Sequence, residues 1–211
     1  MVAARPLPFE VPPRATQDAD GDRFLLDGVT WEQYVAIRDA LDERPGVRIT
    51  FHRGDLEIMS PSRAHENYKK IIARLLELYV VVRGIRAHGF GSTTYRNQPR
   101  ERGLEPDECY CIGDAKDIPD VALEVALSSG GLNKLEVYRG LGVKEVWFWR
   151  NARLELFELG ALDAQGLGRY QPIAKSRFLP DLDLAELARF ALIEDQADAA
   201  RLWYEHLIAQ A

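Results

Sequence analysis

The stretch from Glu105 to Ser128 reads EPDECYCIGDAKDIPDVALEVALS. Two Pro-Asp pairs, Pro106–Asp107 and Pro119–Asp120, each open an apolar run. The second run, VALEVALS, has Glu124 in its middle. Side chains alternate along a strand. Val121, Leu123, Val125 and Leu127 therefore point one way, and their bulk directs that face to a core. Ala122, Glu124, Ala126 and Ser128 point the other way. The second set is small except for Glu124, which leaves room around the carboxylate. An ionised carboxylate out of bulk water needs a partner, or its pKa rises until it is neutral. One partner on offer is Lys134, near the start of the next helix. The other is a divalent cation shared with Asp107, which a neighbouring strand could bring beside Glu124. One or two carboxylates with several retained waters describe a Mg2+ site. A structural Glu124–Lys134 ion pair stands beside that reading.

Elements before this stretch are legible from pattern. TWEQYVAIRDALDE, from Thr30, reads as a helix with Thr30 and Gln33 as a capping box, broken at Pro45–Gly46. VRITFHRGDLEIMSP alternates around Arg-Gly-Asp as a β-hairpin does. In PSRAHENYKKIIARLLELYVVVRG the apolar residues from Tyr68 to Val82 recur at helical spacing, so a long amphipathic helix ends near Gly84. Short strands follow around Gly91–Arg96.

After Ser128, GLNKLEVYRGLG is a helix stopped near Gly140 or Gly142. KEVWFWRNARLELFELG is a second hairpin, GRYQPIAKS one more strand, and the chain is helical from Leu182 to its end. The order predicts an α/β protein, a mixed β-sheet flanked by α-helices. Residues 1–22, rich in Pro, Asp and Ala, read as a flexible N-terminal arm, and residues 23–211 as one domain with a C-terminal helical segment. No Walker-type loop or GxGxxG is present.

The formal charge of −6 argues against a generic nucleic-acid coat protein but leaves room for a local basic groove. No apolar run approaches the ~20 residues of a membrane span. MVAARPLPFEVPPR lacks the apolar core of a signal peptide, so a cytoplasmic protein is expected. Cys109 and Cys111, spaced i, i+2, suit core packing on one strand face.

A Pro-Asp, a strand-borne acid and a following lysine resemble the PD-(D/E)XK nuclease superfamily. More closely, DLEIMSPSRAHE, GLEPDECYCI, PDVALEVALSSGGLNKLEVYRGLGVKEVWFW and SRFLPDLDL resemble the Uma-two family, a group of restriction-endonuclease-like proteins, over about Thr30 to Phe190. The resemblance implies a restriction-endonuclease-like fold and a Mg2+-dependent endonuclease acting on DNA, with Mn2+ an alternative. Asp107 and Glu124 would hold the metal. Lys134 would stand in for a lysine usually found two residues after the strand acid, where this chain has Ala126. Glu66 would be an additional acid at the start of the long helix, with His65 beside it. His65 has a packing or capping role as its alternative, and Glu66 a helix-dipole role.

Lys69, Lys70, Arg74, Arg96, Arg100 and Arg102 are the candidates for DNA contact, against the reading of a solvated charged face. Asp120 reads as a turn residue, Glu108 as solvent-facing, and Asp55 and Glu57 as exposed hairpin residues. Trp203 and Tyr204 are candidates for a dimer surface. A homodimer is expected because cutting two strands with one site per chain commonly takes two chains. The same fold without activity, as a DNA-binding or protein-interaction module, is the second reading.

Overall fold

The computed structural model describes residues 14–41, 46–161, 164, 166 and 168–210. Among these the strands form two six-stranded sheets accompanied by five helices.

The first sheet is antiparallel throughout. Its strands are β1 (Arg14–Asp18), β2 (Gly21–Leu26), β3 (Arg48–His52), β4 (Asp55–Pro61), β6 (Tyr95–Asn97) and β7 (Arg102–Leu104), in the order β1-β2-β4-β3-β7-β6. The second sheet holds β5 (Ala87–Gly89), β8 (Glu108–Ile112), β9 (Val121–Val125), β10 (Glu145–Arg150), β11 (Arg153–Leu159) and β12 (Tyr170–Ile173), in the order β12-β11-β10-β9-β8-β5. Its parallel pair is β9–β10, joined through α3 (Lys134–Leu141). Parallel neighbours need such a crossover, which places a helix on one sheet face.

The expected elements recur with named differences. In α1 (Trp31–Leu41) the capping box is present: Thr30 N–H donates to Gln33 Oε1 at 2.8 Å and Gln33 N–H to Thr30 Oγ1 at 3.2 Å. The expected break at Pro45 lies outside the described residues. The β3–β4 hairpin turns at Arg53–Gly54, both with positive φ, as a tight hairpin demands. Helix α2 (Arg63–Val82) starts at Ser62, whose hydroxyl accepts the His65 N–H at 3.1 Å.

The expected mixed sheet flanked by helices is present as the second sheet, and an antiparallel sheet accompanies it. Two expectations need correction. The expected C-terminal helical run is two helices, α4 (Leu184–Ala191) and α5 (Gln196–Ala209), because Asp183 and Asp195 each cap a new N-terminus with two backbone N–H bonds. The expected arm is not an arm after residue 13: β1 and β2 form a hairpin, and residues 1–13 lie outside the described residues. The hairpin is seated firmly. Ser62 N–H donates to Asp20 O at 2.6 Å, and a Cβ on Gly21 would stand 2.1 Å from Ser60 O, so only glycine fits there.

Both faces of the second sheet are covered. Val121, Leu123, Val125, Trp147 and Trp149 pack with α2, α4 and α5. Ala122, Val146, Phe148 and Cys109 pack with Val137, Tyr138 and Leu141 of α3. The two-sided burial explains the near-continuous apolar runs of β9 and β10. Cys109 and Cys111 are buried free thiols, as their spacing predicts. Trp203 is a core residue whose Nε1–H donates to Leu75 O at 2.8 Å, which removes it from any surface role; Tyr204 is exposed.

Candidate active site

The β8–β9 register pairs Glu108 with Leu123 and Cys109 with Ala122. Continuing it by one pair sets Asp107 opposite Glu124. Directly opposed residues share a face, with Cβ atoms about 4.5–5.5 Å apart. The Val125 N–H donates to Asp107 Oδ2 at 2.8 Å and locks this alignment. Both acids are buried.

Helix α3 brings two further groups to Glu124. Lys134 Nζ lies 2.5 Å from Glu124 Oε2, and the Tyr138 hydroxyl, one turn on, donates to Oε1. The space left by Ala122 and Ala126 is thus taken by side chains of α3. Sequence reading did not single out Tyr138, although its i, i+4 spacing from Lys134 puts both on one helix face. On the far side, His65 Nε2 stands 3.1 Å from Asp107 Oδ2 as an ion-pair contact. The His65 ring is buried, and neither nitrogen has an aligned hydrogen-bond partner among the described residues.

Charge sets the protonation states. Burial alone would raise the Asp107 carboxyl, but His65, the Lys134 ammonium and the Val125 N–H outweigh it and hold the pKa down to about 2. Burial pushes Glu124 up to about 7, with Lys134 pulling down and Asp107 adding to the rise. Burial would lower Lys134 and His65, yet the neighbouring carboxylates keep both above their ordinary values.

The remaining candidates separate. Glu66 pairs with Lys69 at 3.5 Å and lies 3.9 Å from His65 Nδ1, one residue behind the acids. Lys69 is buried, whereas the Glu66 side chain is 40% exposed. Arg74 donates to Gln196 on α5. Arg100 donates to Gly140 O and Gly166 O, and buried Arg102 to the carbonyls of Glu136, Arg100 and Glu101. These three guanidinium groups tie elements together. Lys70 and Arg96 are exposed. Asp120 is a turn residue, accepting from Ile112 N–H and Lys116. Glu108 is half-buried and raised by burial, so it is not solvent-facing as expected. Glu57 is buried, contrary to its expected exposure.

Glu124 and Lys134 open onto a cleft of about 650 Å³. It lies at the carboxyl ends of the parallel strands β9 and β10, with Arg150 and Asn151 on its wall. Crevices at such strand ends are common ligand sites.

Donor chemistry decides whether a divalent cation fits. The Asp107 and Glu124 carboxylates offer hard oxygen donors at directly opposed strand positions, and Asp107 Oδ1 has no hydrogen-bond partner among the described residues. No group of three His, Cys, Asp or Glu side chains that could hold a metal is found among them. Two carboxylates with water completing the shell would suit a hard divalent cation rather than a metal that needs an all-protein cage.

Two buried acids across adjacent strand ends, a lysine from the following helix, and a mixed sheet covered by helices make this a restriction-endonuclease-like protein. The chain belongs to the Uma2 family ("Putative restriction endonuclease"), whose model matches residues 31–190. The membership points to nuclease-type function with DNA as substrate, in a superfamily that generally uses divalent metals. No curated protein matches the chain. No helix among the described residues is long and apolar enough to cross a membrane.

Proposed function

We propose that the chain is a metal-dependent endonuclease that hydrolyses DNA phosphodiester bonds. The observation that carries the reading is the β8–β9 register, which sets Asp107 opposite Glu124 with Lys134 Nζ 2.5 Å from Oε2. Asp107 and Glu124 would hold Mg2+, or Mn2+ in its place. When bound, the ion supplies Lewis-acid polarisation of the phosphate and a lowered pKa for water. Lys134, half-buried at the cleft, orients the attacking water and offsets charge on the phosphorane as a compact point charge. His65 holds Asp107 in its ionised form from behind. Lys70 and Arg96 remain candidates for phosphate contact, and Glu66 acts only through His65. Cutting both strands calls for two copies of the chain.

One observation favours a second reading, an inactive nuclease-fold module that binds DNA or protein. Both Glu124 oxygens already accept hydrogen bonds, from Lys134 and Tyr138. Plasmid nicking by purified chain with Mg2+ or Mn2+, against EDTA, decides between them. We expect metal-dependent nicking, lost in Glu124→Ala and Lys134→Ala. Nicking that survives Glu124→Ala refutes the site, and no nicking across varied substrates favours the module.

A further inference from the structure

The segment Ala126–Asn133 joins β9 to α3 without regular structure, yet it must deliver Lys134 to Glu124. Its amides are gripped by side chains of the other sheet. Asp20, in the β1–β2 turn, accepts from Leu127 N–H at 2.7 Å, from Ser128 N–H at 3.1 Å and from the Ser128 hydroxyl at 2.6 Å. Glu57, in the middle of β4, accepts from Leu132 N–H at 2.9 Å. Arg23 of β2 stands 3.4 Å from Asp20 and 3.5 Å from Glu57. All three side chains are buried. Gly131 has φ +78°, and a Cβ there would sit 2.2 Å from Glu57 Oε2, so the loop is pressed against the carboxylate.

Closing a loop does not require buried charge. Packed apolar residues do it at less desolvation cost. Here two carboxylates, with a guanidinium between them, spend their hydrogen-bonding capacity on both ends of one short loop. The anchors fall on either side of Gly130–Gly131, and Lys134 follows two residues after the second. The glycines permit the turn, and the carboxylates remove the freedom the glycines bring.

We propose that Asp20 and Glu57, bridged by Arg23, are positioning residues that fix the reach of Lys134 to Glu124. The first sheet thereby completes a site whose two acids lie at β8 and β9 of the second sheet and whose lysine opens α3. What Lys134 then does rests on the nuclease reading above; the clamp itself does not.

The test uses the full chain and its Asp20→Asn, Glu57→Gln and Ser128→Ala variants. Acetylation of Lys134 by an N-hydroxysuccinimide ester, followed by peptide mass spectrometry, reports whether the amine stays docked. Exposed Lys144 is the internal control. We expect Lys134 labelling to rise about tenfold in Asp20→Asn and Glu57→Gln, as loss of roughly 1.4 kcal/mol of docking implies, and to rise less in Ser128→Ala. In plasmid nicking kcat should fall by about tenfold or more while KM for DNA holds, because a misplaced group costs rate rather than binding. Unchanged Lys134 labelling in folded variants overturns the proposal, as does faster labelling with unchanged kcat in an active enzyme. Should the Asp20 and Glu57 variants fail to fold, Ser128→Ala decides alone, since it removes one of the three bonds that Asp20 accepts from the loop. If the wild-type chain does not nick DNA, the nuclease reading falls and labelling still judges the clamp.

Discussion

Replacing Lys134 by methionine keeps much of the stem and removes the ammonium that sits 2.5 Å from Glu124 Oε2. Glu124 is 1% exposed at its side chain and Lys134 19%, so solvent cannot substitute for the lost partner. Breaking a buried pair from one side typically costs about 3–5 kcal/mol. In a chain of this size that is roughly 6–20 °C in melting temperature. The cost depends on pH in a definite direction. With Lys134 present the Glu124 carboxyl already titrates near 7, raised from an ordinary 4.5 by burial. Without the ammonium it titrates higher. Between the unfolded and folded values the native state holds a proton that the unfolded chain has released, so stability falls as pH rises, by about 1.4 kcal/mol per unit. In the wild type this contribution ends near pH 7; in Lys134→Met it continues beyond. Urea unfolding of the metal-free chain from about pH 6 to 9, with Glu124→Gln/Lys134→Met as reference, measures it. The difference between variant and wild type should widen with pH and vanish in the double variant. Parallel profiles for wild type and Lys134→Met would show that Glu124 is not charged at the pair, and the electrostatic account of the site would fall.

Asp107 behaves oppositely. Its pKa of about 2, against an ordinary 3.8, contributes about 2 kcal/mol of stability that is present above roughly pH 4 and lost as pH falls through about 2. Asp107→Asn should therefore be less stable than wild type at neutral pH and match it near pH 2 in acid unfolding. Arg102→Met should lower stability by about 2–4 kcal/mol, because three carbonyl oxygens lose their donor. The salt dependence of DNA binding, measured by fluorescence anisotropy, should be the same in this variant as in wild type; a shallower slope would return Arg102 to the phosphate contacts.

Local rules carried the sequence reading far where the chain talks to itself. The Thr30–Gln33 capping box, the Arg53–Gly54 hairpin and the i, i+2 cysteines all depend on neighbours a few residues away. Two-residue alternation also told which face of β9 carries Glu124, and the family motif picked out Asp107 and Lys134. What stayed hidden depends on contacts across the fold. Glu57 has the pattern of a solvent-facing hairpin acid, and only the passage of Leu132 over β4 makes it buried. Asp20 lies in a polar stretch that looks like an arm until Leu127 and Ser128 are placed against it. Arg100 and Arg102 sit in a basic cluster that resembles a phosphate surface, yet they close on carbonyls of distant segments. Charge in a sequence shows what a residue can bind; which partner it finds is decided by topology.

The bond between Asp20 and Ser128 joins residues 108 positions apart. On the ribosome the hairpin emerges long before its loop. At about 5–20 residues per second the interval is on the order of ten seconds. Asp107, Glu124 and Lys134 are likewise made in the second half of the chain, after the scaffold that aims them. A chain synthesised as far as Leu104 can thus carry the whole first sheet and none of these three side chains, and their cluster can form only once Lys134 has followed.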